Sequence, residues 1–341
     1  MHDLVYFYPQ GHGAHYEYGH PERPERVETI RQALDAVDWW QPYPQLNPLS
    51  VPADLLASVH DPGYLKVLPE LSQRGQRLDM DTYTTPASWE LALNAAGGAI
   101  SVAGAVWEGS ARRGFALTRP PGHHATVQRG MGFCLLNNVA LAAQFLVSEL
   151  GAGRLAIIDL DLHHGNGTQD IFWRRSDVFY FSTHQSPFYP GSGSLEETGA
   201  GAGKGYTANF PLPPGSGDAA FSEILEGIIQ PLLDRYEPQM ILVSYGFDPH
   251  WRDPLGHLQL SAVGYGRLIA SLAAWADEHC GGRIALFLEG GYDLEAAAAC
   301  SLCVTAALLG QEWQDSLGAA PNSEGRSWQA VARAARSMWG I

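Results

Sequence analysis

The sequence predicts an α/β protein in which a parallel sheet is covered by helices on both faces. Three observations carry this. Short apolar runs rich in β-branched and aromatic residues alternate with longer helical patterns. The runs lack polar alternation, as strands buried on both faces require. They also end in polar, chemically capable residues, and in open α/β sheets ligands bind beyond the carboxyl ends of strands.

Taken in order, the strand candidates are "LVYFY" from Leu4, "GFALT" from Gly114, "RLAIIDLD" from Arg154, "VFYFSTH" from Val178, "MILVSYG" from Met240 and "IALFLEGG" from Ile284. The main helical patterns between them are "SWELALNAAGGAISVAGAVWEG", "LLNNVALAAQFLVSEL", "AAFSEILEGIIQPLLDRY" and "GYGRLIASLAAWADEH". A last one, "AAAACSLCVTAALLG", reads as a buried helix with Cys300 and Cys303 as small core residues. Cys134 and Cys280 are far apart in the chain, so no disulfide framework is expected.

The chain has 341 residues, 45% hydrophobic and 17% charged, and no composition break, repeat or low-complexity tract divides it. One domain spanning residues 1–341 is expected, ordered throughout. A net charge of −15 argues against a nucleic-acid surface and is first a solubility device. "MHDLVYFYPQGHG" lacks the basic and apolar regions of a secretory leader. No long uncharged apolar run occurs, so a cytoplasmic protein without a membrane partner is expected.

Five strands, read this way, deliver His, Asp, Glu or Tyr to one edge: "RPPGHHA", "DLHHGNG", "THQSPFYPGSG", "FDPHWRDPLG" and "EGGYDL". In "AIIDLDLHHGNGTQD" the alternation of strand side chains puts Asp159, Asp161 and His163 on one face and Leu160 and Leu162 on the other. Two carboxylates and an imidazole would disfavour one another in a dry pocket without a cation. Carboxylate oxygen with imidazole nitrogen suits Zn²⁺, with Fe²⁺, Co²⁺ and Mn²⁺ as alternatives. A catalytic zinc commonly has three protein ligands. Asp161 and His163 are two; Asp248 is the best third, with His250 and Asp253 as competitors.

These motifs occur together and in order, from "HPERPERV" to about residue 310. The chain thereby resembles the zinc-dependent histone deacetylase superfamily, which includes bacterial histone deacetylase-like amidohydrolases and acetylpolyamine amidohydrolases. The resemblance implies the arginase/deacetylase fold around an eight-stranded parallel sheet. It implies one zinc per subunit on Asp161, His163 and Asp248. His123 and His124 flank the attacking water, paired with Asp159 and Asn166 respectively, and Tyr292 hydrogen-bonds the substrate carbonyl. Many relatives carry Asp where this chain has Asn166, so the second dyad is neutral, as in the class II-like branch. Phe133 and Tyr189, with Gly132 and Leu255, match the walls of the acyl-lysine tunnel. A structural K⁺ is implied at Asp159, Asp161, His163, Ser182 and Thr183, and a second through carbonyls of Phe172, Arg175, Val178 and Asn209.

The expected substrate is an acylated amine, small or carried on a lysine side chain of a peptide or protein; homo-oligomerisation is left open. Polyamine selectivity asks for an anionic gatekeeper, and the matching position is Leu255, which favours acyl-lysine or a similar linear amide. Glu17 and Asp81 are rim candidates for the opposite preference; the family's rim aspartate aligns with Thr84 by the nearest proline. A binuclear manganese ureohydrolase of the same fold would need another carboxylate where Gly165 stands, and Asp where His250 stands. A silent metal-binding homologue would lack a histidine or the tyrosine, yet His123, His124 and Tyr292 are present.

Overall fold

The computed structural model describes residues 1–341. Eight strands form one all-parallel sheet: β1 (His2–Phe7), β2 (Gln45–Leu46), β3 (Ala111–Ala116), β4 (Leu155–Asp159), β5 (Val178–Gln185), β6 (Thr207–Leu212), β7 (Ile241–Tyr245) and β8 (Ile284–Leu288). Their order is β2-β1-β3-β8-β7-β4-β5-β6, and every neighbouring pair is parallel. The arginase/deacetylase fold class expected from the sequence is therefore the one observed.

Alternation along each strand feeds two separate apolar layers. Ala156, Ile158, Leu160 and Leu162 pack with the helices Glu25–Asp35, Ala262–His279 and Leu294–Leu309. Leu155 and Ile157 pack on the other face with the helices Ser88–Trp107 and Asn138–Ser148. All four cysteines are buried and free, including the core pair Cys300 and Cys303. No helix is long and apolar enough to cross a membrane.

Several boundaries differ from the sequence reading. β6 carries Pro211 and was not expected from pattern; it survives because it lies at the sheet edge, where one row of amides needs no partner. β2 has only two residues, too few for any period. The "RLAIIDLD" ladder stops at Asp159, although the alternation of side chains between layers continues through Leu162. The helix expected over 219–236 is interrupted by a π-helical turn at Leu225–Ile229. Pro231 explains it, since its missing N–H leaves the carbonyl ladder ahead of it free to widen.

Candidate active site

β3, β8, β7, β4 and β5 are consecutive neighbours, so the five motif-bearing loops emerge side by side at one edge. Asp161 and His163 follow β4 and Asp248 follows β7, two strands in direct register. One ligand atom from each lies within 4.8 Å of the others. His163 Nδ1 is 3.2 Å from Asp161 Oδ1 and 3.1 Å from Asp248 Oδ2. Both carboxylates are fully buried.

Backbone amides orient these carboxylates. Leu162 N–H donates to Asp248 Oδ1 (3.0 Å), His163 N–H to Asp161 Oδ1 (2.8 Å) and Gly290 N–H to Asp161 Oδ2 (2.8 Å). A Cβ at Gly246 or Gly290 would overlap the Asp161 and Asp248 carboxylates, so these positions must stay bare for the group to converge. Burial and the Asp161 charge push the Asp248 carboxyl up to about 6. Burial opposes charge on His163, but the two carboxylates outweigh it and raise the imidazole to about 9. Two buried acids gathering positive charge onto one imidazole is the behaviour of a donor set that fits a divalent cation.

The competing third ligands are placed elsewhere. His250 Nδ1 accepts the Arg252 N–H, and the side chain is not in the ligand group. Asp253 accepts the N–H groups of Leu255 (3.0 Å), Tyr292 (2.6 Å) and Asp293 (3.3 Å). It thus fixes the loop that carries Tyr292, a role the spacing did not reveal. Asp293 in turn caps the next helix by accepting from Ala296 N–H, which explains the order of "GGYDL".

His123 and His124 stand beside this group. His123 Nδ1 donates to Asp159 Oδ2 at 3.0 Å, and Tyr180 hydroxyl donates to the same oxygen at 2.9 Å. Burial disfavours its charge, but Asp161 and Asp159 outweigh that and raise His123 to about 10. His124 Nδ1 is 2.8 Å from Asn166 Oδ1, an acceptor that keeps the proton on Nδ1 and leaves Nε2 free. Burial and the neighbouring His123 and His163 push His124 well below the ordinary imidazole range. One imidazole is held charged and the other neutral.

A cavity of about 520 Å³ leads to them, lined by His124, Gly132, Phe133, His163, Tyr189, Leu255 and Tyr292 as expected, and also by Phe188 and His20. Gly132 takes φ +55°, and a Cβ there would strike the His124 ring. Phe188 sits 5.5 Å from His163, ring to ring; its position next to Tyr189 in "SPFYP" was the only signal for it.

At the mouth, Glu17 is bound by Arg77, whereas Asp81 lines the opening: its carbonyl accepts from His20, its N–H donates to Asp79 Oδ1 (3.0 Å), and its carboxylate is exposed. Thr84 is buried and donates to the Leu71 and Gln76 carbonyls, so it is not a rim residue. Of the implied K⁺ groups, Asp159 is register partner to Ser182, which brings Asp159, Asp161, His163, Ser182 and Thr183 to one strand edge. The second set needs correction. Asn209 pairs with Ser182, four residues beyond Val178, which is roughly 13 Å at about 3.3 Å per residue. It cannot share a small ion with Phe172, Arg175 and Val178; nearer that end is the carbonyl of Tyr206, just ahead of β6, which accepts the Tyr180 N–H.

Beneath the mouth lies a buried ion cluster. Arg119 donates to both Glu22 oxygens (2.7 and 3.0 Å), and Arg26 donates to Glu22 (3.1 Å) and to the Glu289 and Gly291 carbonyls. Burial raises the Glu22 carboxyl, but Arg119, His15 and Arg26 outweigh it and hold it at about 2, below the ordinary 4.5. Its contribution is complete above pH 4.5 and is lost as pH falls towards 2. Glu22→Ala, leaving two buried guanidinium groups without a counter-charge, should lower stability by about 3–5 kcal/mol in urea titrations at pH 7. The deficit relative to wild type should shrink in acid; equal midpoints at pH 7 would refute this reading.

Strand ends of a parallel α/β sheet here gather two buried carboxylates and an imidazole that could hold a cation, two further histidines and a cavity of about 520 Å³. Comparison with known proteins places it further. The histone deacetylase domain model matches residues 20–308, and the chain belongs to that family. It is 42% identical over 280 residues to a probable deacetylase of Archaeoglobus fulgidus, covering 82% of this chain and 78% of that one. It is 38% identical over 296 residues to the histone deacetylase-like amidohydrolase of Pseudomonas aeruginosa, covering 86% and 77%. The crystal structure of the HDA15 HD domain superposes with a TM-score of 0.90 at 31% identity, covering 99% of this chain and 94% of that one.

Proposed function

We propose that this protein is a zinc-dependent amidohydrolase that removes acetyl or other short acyl groups from acyl-lysine or similar linear amides. The observation that carries this reading is the convergence of Asp161, His163 and Asp248, with His163 reaching the cavity that His124 and Tyr292 also line. Those three residues would hold the ion, in line with the zinc chemistry of two carboxylates and an imidazole. When bound, zinc supplies Lewis-acid polarisation of the amide carbonyl and a lowered pKa for water in the open coordination position.

The chain's own groups do the rest. His124 Nε2 takes the proton of the attacking water and returns it to the leaving amine. Asn166 holds the tautomer that makes this possible. His123, kept charged by Asp159, lends positive potential without moving its proton. The Tyr292 hydroxyl donates to the carbonyl oxygen as negative charge builds on it. Phe133, Tyr189 and Phe188 grip a linear chain and exclude water from it. A structural K⁺ is assigned to the carbonyl and carboxylate oxygens where β4 and β5 end.

A binuclear manganese site is disfavoured by the filled space around Gly165, where an added Cβ would meet Asp159, Tyr180 and His123. The second reading worth keeping is acetylpolyamine hydrolysis, because the Asp81 carboxylate lies open at the mouth. Against it stand the Arg77 guanidinium, which neutralises Glu17, and the apolar Leu255. Acetyl-lysine peptides should therefore show higher kcat/KM than acetylspermidine or acetylputrescine; the reverse order would transfer the assignment to polyamines. Leu255→Glu should raise kcat/KM for acetylspermidine by about two- to fivefold, the worth of an exposed ion pair.

A further inference from the structure

We propose that Glu289 is a positioning residue that fixes the His123–His124 segment against the ends of β7 and β8, an inference that rests on the amidohydrolase reading. Glu289 follows β8 in the same segment as Tyr292, yet nothing in the chemistry above uses it. Its side chain is fully buried. Oε2 accepts the N–H groups of Gly122 (2.7 Å) and His123 (3.0 Å), and Oε1 accepts the Ser244 hydroxyl (3.0 Å). Ser244 lies on β7. One carboxylate thus joins β7, β8 and the loop after β3.

The sequence explains why a side chain is needed there. Pro120 and Pro121 have no N–H, so Gly122 and His123 offer the first amide donors after Arg119, and both are buried. No carbonyl is presented to them, and Glu289 Oε2 supplies an acceptor for both. The imidazoles already have partners on the far side, His123 on Asp159 and His124 on Asn166. Glu289 holds the backbone of Gly122 and His123, so the His123 ring is set between two fixed points and His124 is the next residue along the anchored segment. Its main chain is anchored too, through its N–H on the Tyr245 carbonyl (2.8 Å) and its carbonyl on Arg26 (2.5 Å).

Glu289, His123 and Cys134 also bring ligand atoms within 4.8 Å. That trio is not a second cation site: His123 Nδ1 is committed to Asp159, and burial keeps the Cys134 thiol protonated, with its Sγ donating to the Gly132 carbonyl (3.4 Å). The geometry is that of a tether.

The test compares wild type, Glu289→Ala and Glu289→Gln by steady-state kinetics on an acetyl-lysine peptide, by zinc content, and by amide hydrogen exchange of residues 122–124 in the metal-free protein. Glu289→Ala should lower kcat by roughly 10–100-fold with KM and zinc content little changed, the usual cost of losing a supporting hydrogen bond at a metal site. Exchange of that segment should rise. Glu289→Gln, which keeps an oxygen for both amides, should restore most of kcat and the slow exchange. Wild-type kcat and exchange in Glu289→Ala, or equal impairment in both variants, overturns the proposal. Should Glu289→Ala fail to fold, Glu289→Asp decides, since it withdraws the carboxylate by one methylene: faster exchange supports the tether and unchanged exchange overturns it. If wild type hydrolyses no amide, the functional reading fails, and the exchange data still judge the tether.

Discussion

His124→Ala should reduce kcat by roughly 10²–10⁴-fold, the range a positioned general base contributes, with KM and metal content near wild type. The reason is local. Asn166 carries no charge, so nothing in the dyad stabilises an imidazolium before the reaction begins. Burial and the neighbouring His123 and His163 push the imidazole well below its ordinary value. His124 therefore meets the water as a neutral acceptor at pH 7, and the wild-type rate should fall on the acid side as His124 is protonated. That acid limb should vanish in the residual activity of His124→Ala. Asn166→Asp should shift it to higher pH, because a carboxylate partner favours the charged ring. A variant with near-normal kcat would move the base to another group.

Tyr292→Phe should lower kcat by roughly 10²–10³-fold, about 3 kcal/mol or more, with KM changed little and zinc retained. The substitution is clean because the ring is held independently of its hydroxyl. It packs 5.8 Å from Phe133 and 4.9 Å from the Arg26 guanidinium, and its backbone N–H is fixed by Asp253. Burial raises the hydroxyl further above its ordinary range, so it remains an O–H donor across the working pH. Kinetics on an acetyl-lysine peptide, with zinc measured on the same samples, check this. A fall in zinc content equal to the fall in rate would make the effect structural.

Much of this site is legible in the chain because strands in such sheets are apolar until they end, and then they are not. "RLAIIDLD" running into "LHHG" announces both a buried strand and a ligand set, and the five such endings do share one edge. What stayed hidden depends on neighbours that are distant in sequence. Whether Asp248, His250 or Asp253 completes the trio depends on turns after β7 that spacing does not determine. Asn209 looked usable for a cation with Val178 until the β5–β6 register put it beside Ser182. β6 was masked by Pro211, whose cost disappears only at an edge. Glu289 gave no periodic signal, since a lone acid after an apolar run reads the same whether it meets water or the amides of residues 122 and 123.

On the proposed reading, a single divalent cation is held by Asp161, His163 and Asp248, and amide hydrolysis depends on it. Metal analysis of purified wild type and Asp248→Ala, before and after chelation, tests this most directly. The expected result is one zinc per wild-type chain, activity lost on chelation and regained with added Zn²⁺, and a folded variant with neither metal nor activity. Two ions per chain, hydrolysis indifferent to chelation, or full metal retention in Asp248→Ala would contradict it.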